Sequence, residues 1–195
     1  MRLLLISGFL GSGKTTLLLE IARRLAAGSR KIAIIENEVG EVGIDGKYLR
    51  REGMEVQEIF GGCVCCTLSV DLVTTIKKLE GLFQPDRVIL EASGVARPGD
   101  IVPTVRKYAS MVDEIQVLVL LDAPRYEMVL EVMNPLVTAQ IGAADIVAVN
   151  KIDEIDEAGV ERISRSVEDL NSQARVVAIS AEKQTNLEAL MDALR

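Results

Sequence analysis

RLLLISGFLGSGKTTLLLEIARRL, Arg2–Leu25, decides the fold. An apolar run of strand length leads into GFLGSGKT, Gly8–Thr15, a complete match to GxxxxGK(S/T), and a helical segment follows. That strand-to-helix context turns a short pattern into a phosphate loop. Glycines let the loop curl until successive backbone N–H groups face phosphate oxygens, and the helix N-terminus adds a favourable dipole. Lys14 is placed to reach β- and γ-phosphates, and the Thr15 hydroxyl to ligate Mg²⁺. Gly8, Gly11, Ser12, Gly13, Lys14, Thr15 and Thr16 form the expected phosphate cradle.

Outward from this loop, short apolar runs alternate with segments of helical period. RLLLIS (Arg2–Ser7), KIAIIE (Lys31–Glu36), RVILEA (Arg87–Ala92), EIQVLVLL (Glu114–Leu121), DIVAVN (Asp145–Asn150) and RVVAIS (Arg175–Ser180) read as buried strands. Helices are expected over 14–27, 67–82, 99–109, 126–141, 157–171 and 185–194, and a further pair of short strands near 45–60. Such alternation means βαβ units and a mostly parallel central sheet flanked by helices. The expectation is therefore an α/β, three-layer P-loop NTPase. With 195 residues and no internal repeat, linker or low-complexity tract, residues 1–195 read as one domain. Hydrophobic residues are 49% of the chain but aromatics only 3%, so Leu, Ile, Val and Ala must build the core. The least regular stretch is Asn37–Cys66, and long irregular insertions tend to be functional.

A net charge of −7 argues against a general polyanion binder, so no nucleic-acid partner is expected. Gly8, Gly11 and Gly13 interrupt what resembles a signal-peptide apolar region. No apolar run approaches the ~18 residues of a membrane span. The expected location is cytoplasmic, with no membrane association.

NKID, Asn150–Asp153, ends a strand. A carboxylate there can accept both N1–H and N2–H of guanine, a donor pair that adenine lacks. Asn150 either addresses the base edge or buttresses the loop, and the Lys151 stem covers the ring. In SAEKQ, Ser180–Gln184, the Ala181 amide is a candidate donor to guanine O6. EASG, Glu91–Gly94, places a carboxylate where a Mg²⁺-linked acid belongs, and Gly94 permits close approach to a γ-phosphate. The plainer reading of Glu91 is a solvated strand end. ENEVGEVGID, Glu36–Asp45, is either an acidic solvated turn or a switch loop whose carboxylates reach metal, with Asp45 a candidate Mg²⁺ or water-positioning residue.

FGGCVCCTL, Phe60–Leu68, gathers all three cysteines, Cys63, Cys65 and Cys66. Adjacent Cys65 and Cys66 bridge each other only with strain. A thiol nucleophile wants a histidine, and the chain has none. Soft thiolates with nearby carboxylates suit Zn²⁺ and related ions, beside the alternative of inert buried cysteines.

In this order, GFLGSGKTT, ENEVGEVGID, GGCVCC, EASGVARP and NKID resemble the nucleotide-binding domain of the CobW/HypB/UreG family of metal-trafficking GTPases, CobW-like branch, over about the first 190 residues. The resemblance implies Lys14 and Thr15 as phosphate and Mg²⁺ residues, Glu91 as the acidic residue of the second nucleotide motif, and Asn150, Lys151 and Asp153 as base recognition. It also implies Zn²⁺, or Co²⁺ or Ni²⁺, bound by Cys63, Cys65 and Cys66 with Glu36 and Glu41. Such relatives couple GTP binding and hydrolysis to metal delivery to a client metalloprotein or maturation partner, often as homodimers, with cobalamin-related maturation one destination. Three features depart from the pattern: the usual C-terminal domain is expected to be absent, the chain has no His, and Arg97 stands where small or acidic residues are frequent.

The resulting expectation is a GTPase switch that cycles between GTP and GDP, slow by itself because no water-orienting Gln is evident. The alternatives are a small-molecule kinase on the same scaffold, against which NKID argues, and a non-catalytic metal-binding module.

Overall fold

The computed structural model describes residues 1–27, 30–36, 55–58 and 67–194, with backbone only at 55–58 and 67–70. Strands β1 (Arg2–Gly8), β2 (Ile32–Glu36), β3 (Glu55–Glu58), β4 (Arg87–Glu91), β5 (Glu114–Asp122), β6 (Ile146–Asn150) and β7 (Arg175–Ala178) form one sheet in the order β3-β2-β4-β1-β5-β6-β7. Every pairing is parallel. Helices α1 (Lys14–Ala26), α2 (Thr67–Leu82), α3 (Pro98–Tyr108), α4 (Tyr126–Val132), α5 (Asn134–Gly142), α6 (Glu157–Leu170) and α7 (Leu187–Ala193) cover it.

Strand alternation sorts the apolar runs onto two faces. Leu3, Leu5, Ile35, Val88, Leu90 and Val119 meet side chains of α2 through α6, including Ile76, Val105, Ile141 and Val167. Leu4, Ile6, Ile34, Ile89, Leu118 and Ala148 meet Leu17, Leu18 and Ile21 of α1 and Leu187 and Leu190 of α7. Both faces being covered explains why the strands read as continuous apolar runs: every residue of β2 and of β6 is buried. The layers are those of a P-loop NTPase.

Two expectations change. The helix foreseen over 126–141 is two helices, because Pro135 has no N–H and its ring collides with the carbonyl four residues back. The chain turns at Met133 (φ −118°, ψ 30°) and restarts with Pro135 in the first turn of α5. Within 45–60, β3 supplies one short strand; the rest of that stretch lies outside the described residues.

The chain runs from β1 outward to β2 and β3, returns through β4, then crosses to β5 and beyond, so the direction of winding reverses beside β1. Crevices at the carboxyl ends of strands at such a reversal are where open parallel sheets bind ligands. Along that edge the strands end in Glu58, Glu36, Glu91, Gly8, Asp122 and Asn150, in sheet order for the first six strands.

Candidate functional site

The phosphate loop begins where β1 ends. Gly13 holds φ +95° as the residue preceding α1, and a Cβ there would fall 2.5 Å from Asn150 Nδ2, so both backbone and space demand glycine. Lys14, 7% exposed, donates from Nζ to Phe9 O at 3.3 Å across the loop. Burial pushes its ammonium below the ordinary 10.5, with the Glu91 charge opposing. A phosphate supplied to this lysine relieves that cost. The Ser7 and Ser12 hydroxyls are buried with no hydrogen-bond partner among the described residues. Thr16 follows on α1 with its side chain exposed.

Glu91 stands at the end of β4, next to β1, and Thr15 Oγ1 donates to its two oxygens at 2.8 and 3.0 Å. One hydroxyl and one carboxylate this close are a donor set suited to a small hard cation such as Mg²⁺. Beyond Glu91 the chain passes against the phosphate loop: a Cβ on Gly94 would lie 2.9 Å from Leu10 N. Gln140 of α5, 2% exposed, fixes this passage by donating to Gly94 O at 3.3 Å and Ala96 O at 2.9 Å. Arg97 then sits as N-cap of α3, exposed and without a side-chain capping bond.

Across the loop, Asn150 makes the bonds of the buttress reading. It is 2% exposed; its Nδ2 donates to Ser12 O at 2.8 Å and its Oδ1 accepts from Ala181 N at 2.9 Å. It is a buttress that ties the phosphate loop to the loop after β7. The Ala181 amide, a candidate donor to guanine O6, donates here to Asn150. Ser180 is buried and lies beside Asp153, whose carboxyl is held below its ordinary value chiefly by the Ser180 hydrogen bond. Asp153 itself is exposed, available to a base edge.

Lys151 takes a left-handed backbone (φ 65°) and donates from Nζ to Asp122 Oδ2 at 2.8 Å. Arg125 donates to the same oxygen, from Nε at 2.8 Å, and from Nη2 to Leu10 O at 3.0 Å. Asp122, Arg125 and Gln140 were not among the expected site residues. Asp122 ends an apolar strand at the carboxyl edge of the sheet, the one hint the sequence held; its alignment with Asn150 comes from β5–β6 pairing.

Of the expected ligands to the cargo metal, Glu36 is described: it ends β2, is 5% exposed, and is the register partner of Glu91. Cys63, Cys65, Cys66, Glu41 and Asp45 lie outside the described residues. Among the described residues no group of three or more metal-ligating side chains converges, and no helix is long and apolar enough to cross a membrane.

Residues 2–178 match the family model for the CobW/HypB/UreG nucleotide-binding domain. The zinc chaperone YjiA of Escherichia coli (strain K12) is 33% identical over 186 residues, covering 90% of this chain and 56% of YjiA. A solved structure, the Zn(II)-bound YjiA GTPase from E. coli, aligns with TM-score 0.64 at 29% identity, over 92% of this chain and 57% of that one. The hydrogenase maturation factor HypB from Archaeoglobus fulgidus aligns with TM-score 0.75 over 100% of this chain and 89% of its own, at 20% identity, a likeness of fold. The chain spans about half the length of the curated relatives it matches. Matched across its phosphate loop, its second acidic motif and its NKID segment, the chain belongs to the CobW/HypB/UreG family through its nucleotide-binding domain.

Proposed function

We propose that this chain binds Mg²⁺-GTP, hydrolyses it slowly, and couples its nucleotide state to a transition metal held at the cysteine loop, as the GTPase part of a metallochaperone. Lys14 and the backbone of Gly8–Thr15 would hold the phosphates, Thr15 and Glu91 the Mg²⁺, and Asp153 the guanine edge. Mg²⁺, when bound, supplies charge neutralisation to the β- and γ-phosphates. Cys63, Cys65 and Cys66 with Glu36 and Glu41 would hold the cargo ion, with Asp45 a water- or Mg²⁺-positioning residue.

One observation carries the coupling. Glu91, hydrogen-bonded by Thr15 of the phosphate loop, is the register partner of Glu36, the first residue of the acidic stretch. Adjacent strands lie ~4.8 Å apart. The carboxylates proposed for Mg²⁺ and for cargo, Glu91 and Glu36, therefore leave neighbouring strand ends. Glu36 is in turn the register partner of Glu58, after which the sequence runs directly into the cysteine motif. Zinc is the favoured cargo because relatives at about this level of identity are named zinc chaperones; Co²⁺ and Ni²⁺ suit the same donors. A client metalloprotein and a homodimer complete the proposed cycle, in the cytoplasm.

The test is GTP hydrolysis with and without Zn²⁺, in wild type beside a Cys65→Ser, Cys66→Ser double variant. The expected result is metal-dependent turnover in wild type, lost in the variant while GTP binding persists. Turnover indifferent to metal in both proteins would remove the coupling.

A further inference from the structure

The nucleotide-contacting segments are joined through a carboxylate that the phosphate-loop and NKxD patterns do not include. Asp122, the last residue of β5, is 5% exposed and answers two cations through one oxygen. Lys151, from the base-recognition segment, donates to Oδ2 at 2.8 Å, and so does Arg125 through Nε at 2.8 Å and through Nη2. Arg125 continues to the phosphate loop, with Nη2 to Leu10 O at 3.0 Å, and a Cβ on Gly11 would lie 2.7 Å from that nitrogen. Asp122 Oδ1 is buried and has no hydrogen-bond partner among the described residues.

Two partly exposed cations on one buried carboxylate leave an excess positive charge beside the phosphate loop, fixed in place by that carboxylate. A guanidinium offers five donors in a rigid fork, so Nε and Nη2 can hold Asp122 and Leu10 O together, a geometry no lysine reproduces. Lys151, in its left-handed turn directly after Asn150, is oriented from the other side.

We propose that Asp122 and Arg125 are positioning residues for the guanine nucleotide. Asp122 sets the orientation of Lys151 over the base and, through Arg125, the path of the phosphate loop at Leu10 and Gly11. This inference rests on the guanine-nucleotide reading above and assigns the two arms of the clasp different duties. The Arg125 arm governs how tightly phosphates are held, whatever the base. The Lys151 arm governs discrimination of guanine from adenine.

The test uses the full chain and measures Kd and dissociation rate for GDP and ADP, with melting temperature alongside, in wild type, Asp122→Asn and Arg125→Ala. Arg125→Ala is expected to speed GDP dissociation roughly 3- to 10-fold, as loss of charge-assisted hydrogen bonds at a part-exposed site implies, with the GDP-to-ADP ratio unchanged. Asp122→Asn is expected to weaken GDP roughly 10- to 100-fold and to lower that ratio, because both arms lose their charged anchor. If Asp122→Asn does not fold, Arg125→Ala, whose side chain is 41% exposed, still decides the phosphate arm, and GDP dissociation at the wild-type rate in it alone overturns that arm. Overturning results are wild-type GDP affinity and selectivity in both variants, or lower melting temperatures with wild-type nucleotide binding, which would make the clasp purely structural. Failure of wild type to prefer GDP over ADP would instead defeat the guanine reading itself.

Discussion

Asn150→Ala separates a buttress from a base contact. The amide side chain is 2% exposed and bridges two loops, giving a hydrogen bond to Ser12 O at 2.8 Å and taking one from Ala181 N at 2.9 Å. Truncation strands a carbonyl and an N–H in a buried space, each costing about 1–3 kcal/mol. Water entering the vacated volume recovers part of that, so the expected loss is about 2–4 kcal/mol. For a chain of this size, about 2–4 °C of melting temperature follows each kcal/mol, giving a fall of roughly 4–16 °C. Because these partners lie in the phosphate loop and in the loop after β7, the loss is present without nucleotide. Scanning calorimetry of the nucleotide-free protein is the assay. Asn150→Asp, which keeps the acceptor for Ala181 but turns a carboxylate oxygen toward Ser12 O, is expected to be no better. A nucleotide-free Asn150→Ala protein melting within about 1 °C of wild type would refute the buttress, since even one stranded buried group costs more than that.

Two further outcomes follow from local chemistry. Arg97 is the N-cap of α3 with no capping bond, placing a cation at the positive end of a helix dipole. Arg97→Asp is expected to raise stability by about 0.5–2 kcal/mol, checked by urea denaturation; a decrease would mean that Arg97 makes a stabilising contact elsewhere. Burial pushes the Asp122 carboxyl upward, but hydrogen bonds from Lys151 and Arg125 outweigh it and hold it below the ordinary 3.8. Its folded pKa being depressed, its stabilisation is present above the unfolded value and is lost as pH falls through the folded one. The difference in melting temperature between wild type and Asp122→Asn should therefore be constant near neutrality and shrink below about pH 4. A difference that stays constant into that range would contradict the ion-paired state.

The sheet and the phosphate loop were legible because each rests on local signals. Apolar runs of strand length, GxxxxGK(S/T) and the following helical period all speak within a few residues of one another. Pro135 was legible too, yet the apolar period continues through it from Tyr126 to Ile141 and conceals a break that steric exclusion enforces. Asn150 was recognised by its motif, whereas its buttress bonds depend on Ser12 and Ala181, distant in sequence. The same holds for the Ala181 amide, which a motif assigns to the base and the packed loop assigns to Asn150. Asp122 and Arg125 carry no motif. Their meaning emerges only when β5 and β6 pair and bring Asp122 level with Asn150, placing Lys151 within reach.

In a GTPase switch of this kind, nucleotide and cargo metal share one coupling free energy. Zn²⁺ affinity, measured by competition with a chromophoric chelator, should differ between the forms loaded with a non-hydrolysable GTP analogue and with GDP. A coupling of about 1–3 kcal/mol, or 5- to 150-fold, is the usual range, and metal must shift nucleotide affinity by the same factor. Equal Zn²⁺ affinities in the two forms would contradict the coupling of nucleotide state to cargo.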